Sequence, residues 1–156
     1  GHVVGGGLVL AAACDLRIAS TETSFSIPEV DLGIPLAWGG IPRLVREIGP
    51  ALTKELVMTC RPFDAEEASE IGFVNKVTTI DEIDSVVNDL VSIIEAKSRI
   101  ATLSTKAHVN AVTSQMVGTV RSWADADGLE VAMADPESQE AQAEYLAQIK
   151  KKKSDS

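Results

Sequence analysis

Aromatic residues, cysteine and basic charge are all scarce in this chain. Aromatics make up only 4% of the 156 residues, so an aliphatic core is expected. The two cysteines, Cys14 and Cys60, cannot build a disulfide framework, and with no signal peptide in view a reducing, cytoplasmic setting suits them. Lys and Arg number 14 against 23 Asp and Glu, for a net charge of −9. Binding a phosphate backbone takes a basic face, so nucleic acid is not an expected partner. The four lysines at 150–153 are the exception, and such a tail reads first as solvated and frayed. No apolar run is long enough to cross a bilayer, which excludes membrane insertion as a helix. No His/Cys/Asp/Glu set has ligand spacing, so no metal is expected. An initiator Met is also missing. Gly1-His2-Val3-Val4 opens in mid-pattern, and the chain is expected to be the later part of a longer domain. With 45% hydrophobic and 24% charged residues, it has the composition of a globular domain with one core.

The chain is organised around Val3-Val4-Gly5-Gly6-Gly7-Leu8-Val9-Leu10. Two β-branched residues run into three glycines, which open onto an apolar segment rich in helix formers, the pattern of strand, tight turn and helix. Glycine permits so sharp a turn and a close backbone approach to a ligand. The first N–H groups of the helix lack intrahelical partners and lie at its positive end, a place for an anion or a developing oxyanion. A strand-to-helix connection that merely packs closely has the same appearance. A dinucleotide fingerprint fits poorly, because Leu10 stands where its third glycine belongs. A P-loop fails for want of Gly-Lys-Ser/Thr, and a lipoprotein signal ending at Cys14 fails for want of a preceding Lys or Arg.

The longer pattern is specific. Cys14-Asp15-Leu16-Arg17-Ile18-Ala19 follows the glycines, then Phe25-Ser26-Ile27-Pro28-Glu29-Val30-Asp31-Leu32-Gly33, Gly39-Gly40-Ile41-Pro42-Arg43-Leu44, Ala65-Glu66-Glu67-Ala68 and Gly72-Phe73-Val74-Asn75-Lys76-Val77. In that order these resemble the crotonase superfamily of enoyl-CoA hydratases and isomerases, over nearly all of this chain but only the later part of a family domain. The resemblance implies an α/β fold with a β-β-α spiral core, here partial, over residues 1–97. A C-terminal helical region over 98–149 would make trimer contacts, and 150–156 would be a basic, polar tail. It further implies an acyl-CoA thioester of fatty-acid metabolism as substrate, with no cofactor beyond the coenzyme A of that substrate, and a homotrimer or dimer of trimers as assembly.

Matched residue by residue, the resemblance puts one oxyanion-hole donor on Gly6, flanked by Gly5 and Gly7 at the substrate. The second donor belongs to the first half of a family domain, so this stretch by itself should be a poor catalyst. The hydratases use two glutamates. One matches Glu29; the other falls on Val9, which cannot move a proton. The acid of the dienoyl-CoA isomerases falls on Ala37, also inert. One carboxylate can take a proton from one carbon and return it to another, so the pattern tilts toward isomerisation with Glu29 as the base. Its apolar neighbours Ile27, Pro28, Val30 and Leu32 should raise its pKa. A glutamate after proline that only braces its loop is the plainer reading. Asp31 is expected to brace the loop through backbone N–H groups. Trp38 is a candidate wall of the acyl pocket or a packing residue. Tyr145 matches an aromatic that the family's last helix lends to the coenzyme A of a neighbouring subunit. Gln148 stands where that helix carries a lysine, leaving Lys150 and the lysines after it as candidates for the phosphates.

Local patterns predict strands at Val3-Val4, 16–19, 24–26 and 73–77. The first of these should be buried, as should a helix from Gly7 to Cys14. Leu44, Val45 and Ile48 share a helical face that stops and restarts at Gly49-Pro50. Asp64 is expected to cap the helix 65–71, with Glu67 completing a capping box and Gly72 stopping it. Ile83, Val87, Leu90 and Ile94 keep amphipathic spacing, and helices are predicted over 100–116, 120–133 and 136–149.

Overall fold

The computed structural model describes residues 1–118 and 124–154, with the backbone alone at Lys152 and Lys153. The first half alternates strands and helices: β1 (His2–Val4), α1 (Gly6–Ala12), β2 (Ile18–Ser20), β3 (Ser24–Ser26), α2 (Gly40–Thr59), β4 (Phe63–Asp64), α3 (Ala65–Glu70) and β5 (Lys76–Thr78). Helices follow: α4 (Ile83–Glu95), α5 (Arg99–Met116), α6 (Asp125–Ala134) and α7 (Pro136–Ser154). Part of the predicted helix over 120–133 lies outside the described residues. The lysines expected to fray instead continue the backbone of α7.

Two small sheets make the core. β1 pairs with β3 in parallel, Val4 opposite Ser26, and β3 pairs with β4 antiparallel. β2 and β5 form a second, parallel pair. α1 leads out of one sheet toward the other and packs on α2, the crossing that parallel strands require. Alternating strands and helices followed by helices alone is the α/β order that the resemblance implies.

The core is not purely aliphatic. The chain's three phenylalanines meet at its centre, with the Phe25 and Phe63 rings stacked at 5.2 Å and Phe73 edge-on to Phe25 at 5.9 Å. Leu8, Ile27, Leu44 and Leu56 pack around them. Val4 is 44% exposed rather than buried, because β1 alternates and Val4 shares the outward side with His2 while Val3 turns inward. Leu10 is 70% exposed because α1 buries only the stripe of Leu8, Val9 and Ala12. α2 is interrupted where expected: Gly49, at φ +77 and ψ 168, is non-helical ahead of Pro50, so two helical segments meet there at a kink. Asp64 caps α3 by accepting from Glu67 N–H at 2.8 Å. The capping box is only half made, since the Glu67 carboxylate turns to the Arg61 guanidinium in two bonds of 2.6 and 3.0 Å.

Candidate active site

Parallel pairing of β1 and β3 brings two functional segments together. The strands end side by side at Val4 and Ser26, and Gly5 N–H extends the ladder by donating to Ser26 O at 3.0 Å. Ligands of open parallel sheets bind in the crevice outside the carboxyl ends of the strands, and two segments of this chain leave β1 and β3 at that end. One segment is the glycine turn and the other is Ile27-Pro28-Glu29.

Gly5 has φ +51 and ψ −115, a conformation open essentially to glycine alone. A Cβ built there would lie 2.5 Å from Glu29 Oε1, so the carboxyl group rests directly on the glycine backbone. Leu8 and Val9 N–H both donate to Gly5 O, which starts α1. The Gly6 and Gly7 N–H groups precede any intrahelical acceptor and find no other among the described residues.

Glu29 opens a tightly wound loop. Leu32 N–H donates to Pro28 O and Glu29 O, and Ile34 N–H to Glu29 O at 3.0 Å. No cation among the described residues pairs with its carboxylate, and Oε2 is buried without a hydrogen-bond partner. Burial pushes its pKa above the ordinary 4.5, and its own backbone N–H only partly opposes this. A half-buried carboxyl with no cation partner and raised proton affinity is equipped to exchange a proton with a group placed against it.

Trp38 closes another side. It has φ +59, and its indole lies across Gly6, where an added Cβ would meet Cζ3 at 2.6 Å. Even so, the residue is 76% exposed. Ala37 is half-buried, and its carbonyl accepts from Gly40 N–H at 3.0 Å. Val9 is buried, and together with Leu36 it fills the space a side chain at Gly40 would need. Gly7 faces open space. The structure thus gathers Gly5, Gly6, Glu29 and Trp38 in one place. Tyr145 lies half-buried on α7, seven residues or roughly 10 Å along the helix from Ser138, which touches Gly33.

Asp31 departs from its expected role. Among the described residues its carboxylate caps no backbone N–H. It lies instead beside Cys60, where burial foremost and then the charge of Asp31 push the thiol's pKa up. Two residues that hold the site are not among those the sequence singles out. Arg43 Nη1 donates to Trp38 O and Gly39 O, and Asp125 Oδ2 accepts from Gly39 N–H. Arg43 had a local signal, standing one helical turn beyond Gly39. Asp125 had none.

The family model described as enoyl-CoA hydratase/isomerase matches residues 1–154. The chain belongs to the enoyl-CoA hydratase/isomerase family. It is 35% identical over 150 residues to a crotonyl-CoA hydratase of Syntrophomonas wolfei subsp. wolfei, covering 96% of this chain and 57% of that protein. It is 41% identical over 108 residues to a peroxisomal Delta(3,5)-Delta(2,4)-dienoyl-CoA isomerase of Arabidopsis thaliana, covering 69% of this chain and 39% of that one. The crystal structure of an enoyl-CoA hydratase from Mycobacterium smegmatis superposes with a TM-score of 0.77 at 25% identity, over 86% of this chain and 61% of that chain. The chain spans about half the length of the curated relatives it matches. As family members go, this one has a glutamate beside the glycine turn, with an apolar residue on α1 and an alanine at position 37.

Proposed function

We propose that the protein of which this chain is part isomerises an enoyl-CoA thioester, with Glu29 as the single proton carrier. The Gly6 N–H would stabilise the enolate oxyanion on the thioester carbonyl. Glu29 would take a proton from one carbon and deliver it to another, the two steps summing to a double-bond shift. The observation that carries this reading is the half-buried Glu29 carboxyl, its Oε2 without a partner, lying on Gly5, one residue before the free N–H of Gly6. Val9 and Ala37 favour isomerisation over hydration, since activating water calls for a second acid to position it. Trp38 would be the acyl wall, and Gly5, Gly7, Val9 and Ala37 the substrate's other neighbours. Tyr145 would serve the coenzyme A of an adjoining subunit.

Hydration is the second reading, favoured by relatives that are named as hydratases. It needs an acid from outside this chain. A binding subunit without turnover is the third, favoured by the inert side chains at Val9 and Ala37. Supplying the full-length protein with a 2-enoyl-CoA and a 3-enoyl-CoA separates the three. Bond migration is expected; water addition or binding without turnover would overturn the isomerase reading. A trimeric assembly suits the apolar residues left exposed on α4 and α5, among them Val87, Val91, Ile100 and Leu103, and a monomeric mass by light scattering would exclude it. No helix among the described residues is long and apolar enough to cross a membrane. Two free thiols suit a cytoplasmic location, which fractionation of the source cells would test.

A further inference from the structure

We propose that Asp125, at the start of α6, is a positioning residue that sets acyl-chain selectivity by holding the backbone turn under Trp38; the proposal rests on reading the crevice as an acyl-CoA site. Trp38 and Gly39 take consecutive left-handed conformations, φ +59 and +67. Glycine adopts this freely, whereas a tryptophan is strained there and stays only if its surroundings fix it. Packing does not supply that constraint, because the indole is largely exposed. Hydrogen bonds do. Gly40 N–H closes the turn onto Ala37 O at 3.0 Å. Arg43 Nη1 donates to Trp38 O at 3.2 Å and Gly39 O at 3.0 Å. The remaining inward group, Gly39 N–H, donates to Asp125 Oδ2 at 2.7 Å, across 86 positions of sequence.

Among the described residues that last bond is the one hydrogen bond from this turn to the C-terminal helices, and it is charge-assisted. The same helices touch the loop at two further points. Gly33 lies against the Ser138 backbone, its missing Cβ only 2.7 Å from Ser138 Cα, and Gly128 faces Pro35. The α6–α7 pair is therefore seated along residues 33–39, and its grip at Gly39 fixes where the indole stands over Gly6. A thioester carbonyl bound at Gly6 would send its acyl chain past that ring. Loosening the turn moves the wall rather than the proton carrier, so selectivity should change before chemistry does.

The test compares unsubstituted full-length protein with Asp125→Ala, Asp125→Asn and Trp38→Ala on a short-chain and a long-chain 3-enoyl-CoA, alongside amide hydrogen exchange at Gly39. Asparagine keeps an acceptor oxygen and should stay close to the unsubstituted protein. Asp125→Ala should speed Gly39 exchange about 10-fold, the scale of one lost charge-assisted hydrogen bond. It should also shift the ratio of the two kcat/KM values in the direction of Trp38→Ala, through KM. Equal losses on both thioesters, or unchanged exchange at Gly39, would overturn the proposal. If the unsubstituted protein binds neither thioester, the acyl-CoA reading itself fails and the selectivity role falls with it. Gly39 exchange would then still report, separately, whether Asp125 holds the turn.

Discussion

Glu29→Gln is expected to lower isomerase turnover by roughly 10²–10⁴-fold, the usual contribution of one positioned acid–base group, while leaving thioester binding intact. Gln matches the shape of Glu but cannot carry a proton. Turnover within a few-fold of the unsubstituted enzyme would remove Glu29 from the mechanism. The same substitution has a second, pH-dependent consequence. Burial raises the pKa of Glu29 above 4.5 in the folded protein. The unfolded chain therefore releases this proton first as pH rises, and the folded state binds more protons over the interval between the two values. Stability from this group is complete below about pH 4.5 and is lost as pH climbs through the folded pKa. Gln lacks that loss. The melting temperature of Glu29→Gln relative to the unsubstituted protein should therefore be higher at pH 7 than at pH 4. A difference independent of pH would mean that the carboxyl is not desolvated. In turnover the base must be ionised, so kcat/KM should fall on an acid limb lying above the ordinary glutamate range.

Arg17→Met is expected to cost about 3 kcal/mol of stability, the lower end for breaking a buried ion pair, because Glu47 keeps some access to solvent. The two side chains are 8% and 25% exposed and meet directly. Arg17 also donates to Cys14 O at 2.6 Å, to Phe73 O and, more distantly, to Ala11 O. Its guanidinium lies 5.0 Å from the centre of the Phe73 ring. Ala11 lies in the last turn of α1 and Cys14 just past its C-cap Ala13, while the helix begins at Gly6. One cation thus satisfies the carbonyls at the far end of the helix that presents the oxyanion donor. Methionine keeps the apolar stem and loses every one of these bonds, leaving the Glu47 carboxylate unpaired. Arg17→Met/Glu47→Leu should recover much of the loss, since the isolated charge is then gone. Urea unfolding measures both. A single variant within 1 kcal/mol of the starting protein would show that the pair is solvated and does not brace α1.

How far the sequence reads ahead depends on the range of each interaction. Ser24-Phe25-Ser26 alternates and stops at Pro28, and β3 has those bounds. Ile83, Val87, Leu90 and Ile94 mark α4 by spacing alone. The glycine triplet and the Pro-Glu turn are local patterns too, and parallel pairing of β1 with β3 carries them to one place. What stayed illegible depends on distant partners. Val4 has the residue type of a buried strand, but only the packing around β1 decides that its side of the strand turns outward with His2. Glu67 stands three residues past a cap, but Arg61 competes for its carboxylate. Arg17 falls inside the strand predicted over 16–19 with no partner in view, and its burial follows from the arrival of Glu47 and Phe73. Asp125 meets Gly39 from a helix that no short-range pattern connects to the glycine turn.

The most direct test follows one proton. A 3-enoyl-CoA deuterated at C2 is isomerised by the full-length protein in ordinary water, and the 2-enoyl-CoA product is examined by NMR for deuterium at C4. A lone carboxyl that lifts the deuteron from C2 and sets it down at C4 leaves part of the label in the product, which is the predicted result. The second C2 deuteron stays on C2 in either case; protium alone at C4, with the whole of the lifted deuteron lost to solvent, would contradict transfer by Glu29 as the single carrier.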